Sequence, residues 1–76
     1  MTLQQLKYVS MVEKCGSFSR AAQKLYVSQP SISNLVNALE EELGITIFTR
    51  SSTGIAITNQ GRELLKLSNR LLLDAD

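Results

Sequence analysis

The chain has 76 residues, 43% of them apolar, with a formal net charge of +1, one cysteine and no histidine. That length makes one small domain with a modest core, burying only about 60% of its extended surface and gaining stability from a partner. Cys15 alone forms no intrachain disulfide or thiolate cluster, the commonest metal ligand and proton shuttle is missing, and no stretch reaches the ~18–20 apolar residues of a membrane span.

The opening MTLQQLKYV has no cationic flank before a long apolar run, so no signal peptide is expected. A first helix is predicted from Leu3 to Lys14, with Thr2 and Gln5 forming a capping box. Its apolar residues cover a broad arc: one side faces the core, while Tyr8 and Met11 are assigned to a second surface. CGS at 15–17 ends the helix, with Gly16 in the left-handed conformation. Ser17 caps a short second helix, Phe18 to Leu25, in which Phe18, Ala21, Ala22 and Leu25 recur on one side. The two alanines imply close approach of the next helix.

YVS is a brief linker to a third helix capped by Ser28, with Pro30 in the first turn, where its missing N–H costs nothing. Ile32, Leu35, Val36, Leu39 and Leu43 form its buried stripe, and Gly44 ends it. The opposite side starts with Gln29, Ser31, Ser33, Asn34 and Asn37, short and uncharged where a solvated helix usually carries charge. Such a face suits entry into the major groove of DNA. Glu40 to Glu42 are read as a solvated face at the far end. ITIFTRSSTGIAIT then shows two β-favouring segments, about 46–49 and 55–58, joined by a bend near Thr53-Gly54: a short hairpin, or wing.

A final helix is predicted after Thr58, to the end of the chain. It holds more leucine than one flank of so small a domain can bury, and Leu64, Leu67 and Leu71, with Leu65 and Leu72 beside them, read as a second protein surface.

Four pieces together resemble the winged helix-turn-helix of LysR-type bacterial transcriptional regulators: FSRAAQKLYVSQPSIS at 18–33, LEEELG at 39–44, FTR at 48–50 and ITNQG at 57–61. The resemblance implies a mainly α fold, a three-helix core plus a short β-hairpin wing, followed by a long linker and dimerisation helix. Residues 1–58 would be the DNA-binding domain and 59–76 the linker helix, with the effector-binding domain absent from this chain. It further implies a cytoplasmic bacterial protein, associated with the nucleoid when bound. This protein would bind double-stranded operator DNA as a homodimer or tetramer through the linker helix. No cofactor is expected in this chain; a small-molecule effector would bind the absent domain.

The matching base-reading positions are Gln29, Pro30, Ser33 and Asn34, with Asn37 next on the same side. Ser17, Arg20, Lys24, Ser28, Ser31, Arg50, Ser51, Ser52 and Thr53 are assigned to the DNA backbone or the wing. Members often carry arginines at the positions of Asn34, Asn37 and Ala38 and a basic residue near Thr53; this sequence has none of those charges.

Glutamine and asparagine amides can pair with adenine, serine discriminates less, and proline offers apolar surface to a thymine methyl. Arg50 has two readings: a contact to phosphate or a minor-groove edge, or an ion pair with Glu40 or Glu41. In residues 1–58 five cations face four carboxylates, so a single head binds weakly and pairing of heads must supply affinity. No phosphate cradle or paired-carboxylate spacing suggests an enzyme. The rival reading is a winged-helix protein-docking or dimerisation module without DNA readout.

Overall fold

A computed structural model describes residues 1–52 and 54–75 of the chain, the last four as backbone only. The elements run α1 (Leu3–Cys15), α2 (Phe18–Leu25), α3 (Gln29–Leu43), β1 (Phe48–Ser51), β2 (Gly54–Ile57) and α4 (Asn59–Ala75). The fold is mainly helical: a three-helix core, a hairpin wing and a long last helix.

Local chemistry sets most of these boundaries. Thr2 Oγ1 accepts from the Gln5 N–H at 3.1 Å and Gln5 Oε1 accepts from the Thr2 N–H at 2.8 Å, the expected capping box. Ser17 and Ser28 cap α2 and α3 through the N–H groups of Arg20 and Ser31. Gly16 and Gly44 end α1 and α3 in the left-handed region, at φ 68° and 66°. The linker after α2 holds a surprise: Tyr26 has φ 58°, a left-handed cap formed by a residue that pays a steric penalty for it.

The core is one cluster that draws on every helix and on the wing. Val9, Val12, Ala21, Ile32, Leu39 and Ile47 are fully buried, joined by Leu6, Phe18, Ala22, Val36, Phe48, Leu64 and Leu65. Leu25, Leu35 and Leu43 are only half-buried, so the stripe of α3 narrows to Ile32, Val36 and Leu39. Ala21 and Ala22 are both buried on α2, which packs against α1 and α3. On α1 and α4, which pack together, Ser10 and Ser68 are buried small residues, and the Ser68 hydroxyl has no hydrogen-bond partner among the described residues.

The wing departs from expectation at its start. The strands pair antiparallel as Phe48 with Ile57, Thr49 with Ala56, Arg50 with Ile55 and Ser51 with Gly54. β1 therefore begins two residues later than the segment 46–49 suggested. The reason lies in Glu40. Its carboxylate accepts from the N–H groups of Ile47 at 2.7 Å and Phe48 at 3.3 Å, and so engages the donors where the strand begins. Glu40 is half-buried and holds the wing, which corrects its assignment to a solvated face; Glu41 and Glu42 are exposed. Thr58 secures the other end. Its hydroxyl donates to the carbonyls of Thr46 and Ile47 while accepting from the Gly61 N–H at 2.9 Å, so one residue caps α4 and ties it to the wing. Gly61 lets α4 start close against that wing, because a Cβ there would stand 2.5 Å from the Ile47 carbonyl oxygen.

Candidate nucleic-acid interface

The buried stripe of α3 turns its opposite side outward, and there the small polar residues gather. Gln29, Pro30, Ser31, Asn34 and Asn37 are exposed and Ser33 is half-buried. Ser28 and Ser31 hold each other at the helix start, their hydroxyl oxygens 2.7 Å apart. A shallow cleft of about 250 Å³ lies beside this tip. It is lined by Gly16, Ser17, Phe18 and Ser19 at the start of α2, by Gln29, and by Arg50, Ser51, Gly54 and Ile55 of the wing. Two helix N-termini and one arginine thus border a depression with no carboxylate in its lining. Free N–H groups and the positive ends of helix dipoles favour an anion at such a place.

Arg50 makes a contact that neither reading of its sequence position included. Its guanidinium lies over the Phe18 ring, Cζ 4.4 Å from the centroid, and an Nη2 N–H donates to Ser33 Oγ over a long 3.5 Å. Among the described residues it forms no ion pair with Glu40 or Glu41. Phe18 in turn meets Phe48 edge to face, with centroids 5.8 Å apart. The side chain nevertheless stays exposed, so its remaining donors face solvent. Arg20 and Lys24 are exposed on α2 and border a second depression with Lys14, Cys15, Gln23 and Tyr26. The carboxylates of α3 lie far from its tip: Gln29 to Glu41 is twelve residues of helix, about 18 Å, or some two screening lengths in physiological salt.

The sequence profile of bacterial regulatory helix-turn-helix proteins of the lysR family matches residues 3–62, which include the cleft and the recognition-like tip of α3. The chain belongs to the LysR family. Among similar solved structures, the complex of the CbnR DNA-binding domain with DNA has a TM-score of 0.94 at 40% identity, covering 99% of this chain and 86% of that one. The complex of the BenM DNA-binding domain with catB site 1 DNA has a TM-score of 0.95 at 37% identity, covering 100% of this chain and 82% of that one.

Among curated relatives, a probable RuBisCO transcriptional regulator of Gracilaria tenuistipitata var. liui is 45% identical over 71 residues, which are 93% of this chain and 23% of that protein. The transcriptional regulator ClcR of Pseudomonas putida is 38% identical over 72 residues, 95% of this chain and 24% of that protein. The chain therefore spans about a quarter of the length of these curated relatives.

The LysR-family fold separates the residues assigned to assembly. Leu64 and Leu65 are buried in the chain's own core, at 9% and 7% exposure, so they do not form the outward stripe. Leu67 and Leu71 remain outward at 49% and 42%, one turn apart on α4. Tyr8 and Met11 are half-buried against the core, and the Tyr8 hydroxyl accepts from Gln4 Nε2 at 3.5 Å. Of the wing residues, Ser51 and Ser52 are exposed, and the Ser51 hydroxyl donates to the Gly54 carbonyl at 3.3 Å. Thr53 and the side chain of Leu72 lie outside the described residues. Sequence reasoning missed the Phe18 platform under Arg50 and the Glu40 clamp on the wing. Both depend on non-local contacts between α2 or α3 and β1, for which residue spacing carries no signal.

Proposed function

We propose that this LysR-family chain binds double-stranded operator DNA in a sequence-dependent way, with the tip of α3 in the major groove and the wing against the flanking backbone or minor groove. One observation carries the reading. The outward face of α3 offers amide and hydroxyl groups without charge, on a tip bordered by two helix N-termini and Arg50 with no carboxylate between them. A groove presents base edges to neutral donors and acceptors and phosphates to N–H groups and cations, and the residues are sorted in that order. Gln29, Pro30, Ser33 and Asn34 read bases, with Asn37 at the limit of reach. Ser17, Ser28, Ser31, Arg20, Lys24 and the wing from Arg50 to Thr53 meet the backbone. The solved DNA complexes of the CbnR and BenM domains, so similar in fold, support this reading.

The same reading makes the working unit a homodimer joined along α4, in the bacterial cytoplasm and on the nucleoid when bound. Higher assembly and the response to a small-molecule effector belong to the portion of the relatives' length outside this chain.

Selection from a randomised duplex library, followed by titration of the selected site against salt, tests the proposal. The logarithm of the affinity should fall linearly with that of the salt concentration, with a slope near −0.9 per phosphate contacted. Gln29→Ala should weaken the selected site by about 1–3 kcal/mol relative to a mismatched one and leave the fold intact. A protein that enriches no sequence and shows no salt slope is a docking module instead.

A further inference from the structure

We propose that Arg50 is a positioning residue that biases the Ser33 hydroxyl toward donating to DNA, and thereby disfavours cytosine at the base Ser33 meets. The inference rests on the reading of α3 as the groove-entering helix and adds to it a determinant of specificity on a different element.

Three elements converge on this arginine. It is the third residue of β1, paired across the wing with Ile55. Its guanidinium lies over Phe18, the first residue of α2, which is 6% exposed and braced edge to face by Phe48. Phe48 opens β1 and its N–H is held by Glu40 of α3. The ring is therefore a fixed platform, and a cation over an aromatic face is attracted to it. From that platform an N–H points at Ser33 Oγ at 3.5 Å. At this length the bond orients rather than anchors; the stack supplies the attachment.

The consequence follows from hydrogen-bond polarity. A hydroxyl can donate or accept and rotates to suit its partner, whereas a guanidinium only donates. Ser33 Oγ accepts from Arg50 with one of its two lone pairs, and the guanidinium charge turns the hydroxyl proton away from Arg50. Among the described residues no acceptor takes that proton. Ser33 sits one helical turn from exposed Gln29 on one side and exposed Asn37 on the other, so its open side shares their direction.

In the major groove guanine offers N7 and O6, adenine N7 and thymine O4 as acceptors, while cytosine offers only its N4 amino donor. A freely rotating serine accommodates all four bases. Beside the guanidinium, Ser33 can meet the cytosine amino group only through its remaining lone pair, and the neighbouring positive charge disfavours the approach of that donor. The wing thus imposes a preference on a residue that by itself discriminates little, without touching the base.

The test is selection and competition binding with the chain and three variants, Ser33→Ala, Arg50→Ala and the double substitution. The unsubstituted chain should disfavour cytosine at one position of each half-site by about fivefold or more. Ser33→Ala and Arg50→Ala should each relax that same position and no other, and the double variant should go no further than either alone. Should Arg50→Ala fail to fold, Arg50→Gln carries the same expectation, because its amide presents an acceptor to Ser33 as readily as a donor. An Arg50 variant that binds all sequences more weakly, with a shallower salt slope but every positional preference intact, would make Arg50 a plain phosphate contact and overturn the inference. An unsubstituted chain that selects no sequence at all overturns the DNA reading beneath it, which is a separate and recognisable result.

Discussion

At the scale of single residues, the side chains that organise this protein are those with two partners. Glu40 is an example. Its stem is part of α3, and its carboxylate ends on the N–H groups of Ile47 and Phe48. Ile47 is fully buried, so its donor has no water to fall back on. Removing the only acceptor of a buried N–H costs about 1–3 kcal/mol, far more than loss of a surface charge. Glu40→Ala should therefore lower the denaturant midpoint by that amount, and Glu40→Gln, which keeps a carbonyl acceptor in reach, by clearly less. Identical midpoints for all three proteins would mean the wing is held by its apolar contacts alone. Tyr26 is the opposite case, a residue in a conformation its Cβ resists, 95% exposed, stabilised by the backbone bonds that close α2.

At the scale of elements, what could be read in advance was what is local. The caps Thr2, Ser17 and Ser28 and the stops Gly16 and Gly44 follow from the chemistry of three or four adjacent residues, and α1, α2, α3 and the start of α4 match their expected limits closely. The onset of β1 was not legible, because Glu40, eight residues before Phe48, decides it. Nor could leucine spacing separate Leu64 and Leu65, which the core takes, from Leu67 and Leu71, which it leaves; that division depends on the rotation of α4 against α1. The exposed polar tip of α3 was legible, while its tie to the wing through Phe18 and Arg50 was not.

Gly61 shows propensity and packing in open conflict. In a helix, glycine to alanine favours folding by about 1 kcal/mol. Here the added methyl would stand 2.5 Å from a backbone oxygen and 2.9 Å from Ile57 Cγ1, so the wing or the helix must shift. Overpacking of that kind costs about 1–3 kcal/mol, and backbone yields less readily than a side-chain tip. Gly61→Ala should consequently lower the melting temperature; a rise would show that α4 can retreat from the wing freely.

For the whole molecule the decisive quantities are a small charge and an unpaired apolar side. A head of net charge near +1 gains little from phosphate neutralisation, and its isolated affinity belongs near the ~10⁻⁴–10⁻⁶ M scale of nonspecific binding. Leu67 and Leu71 meanwhile stand exposed on one side of α4, beyond what this chain's own core covers. A second copy packed on that side would shield both leucines and join two heads, so that binding of the first raises the effective concentration of the second, commonly to the millimolar range.

Affinity and assembly should accordingly fail together. Leu71→Asp would place a carboxylate in the proposed shared apolar surface, where it has no partner, yet it disturbs no residue of the head's core. Sedimentation should show monomer in place of dimer, circular dichroism should be unchanged, and affinity for a two-site duplex should fall by about a hundredfold or more, to that of a single head on a single half-site. A variant that sediments as a monomer but keeps the full affinity would place the compensation for weak charge within one head. One that stays dimeric would move the pairing surface away from Leu71.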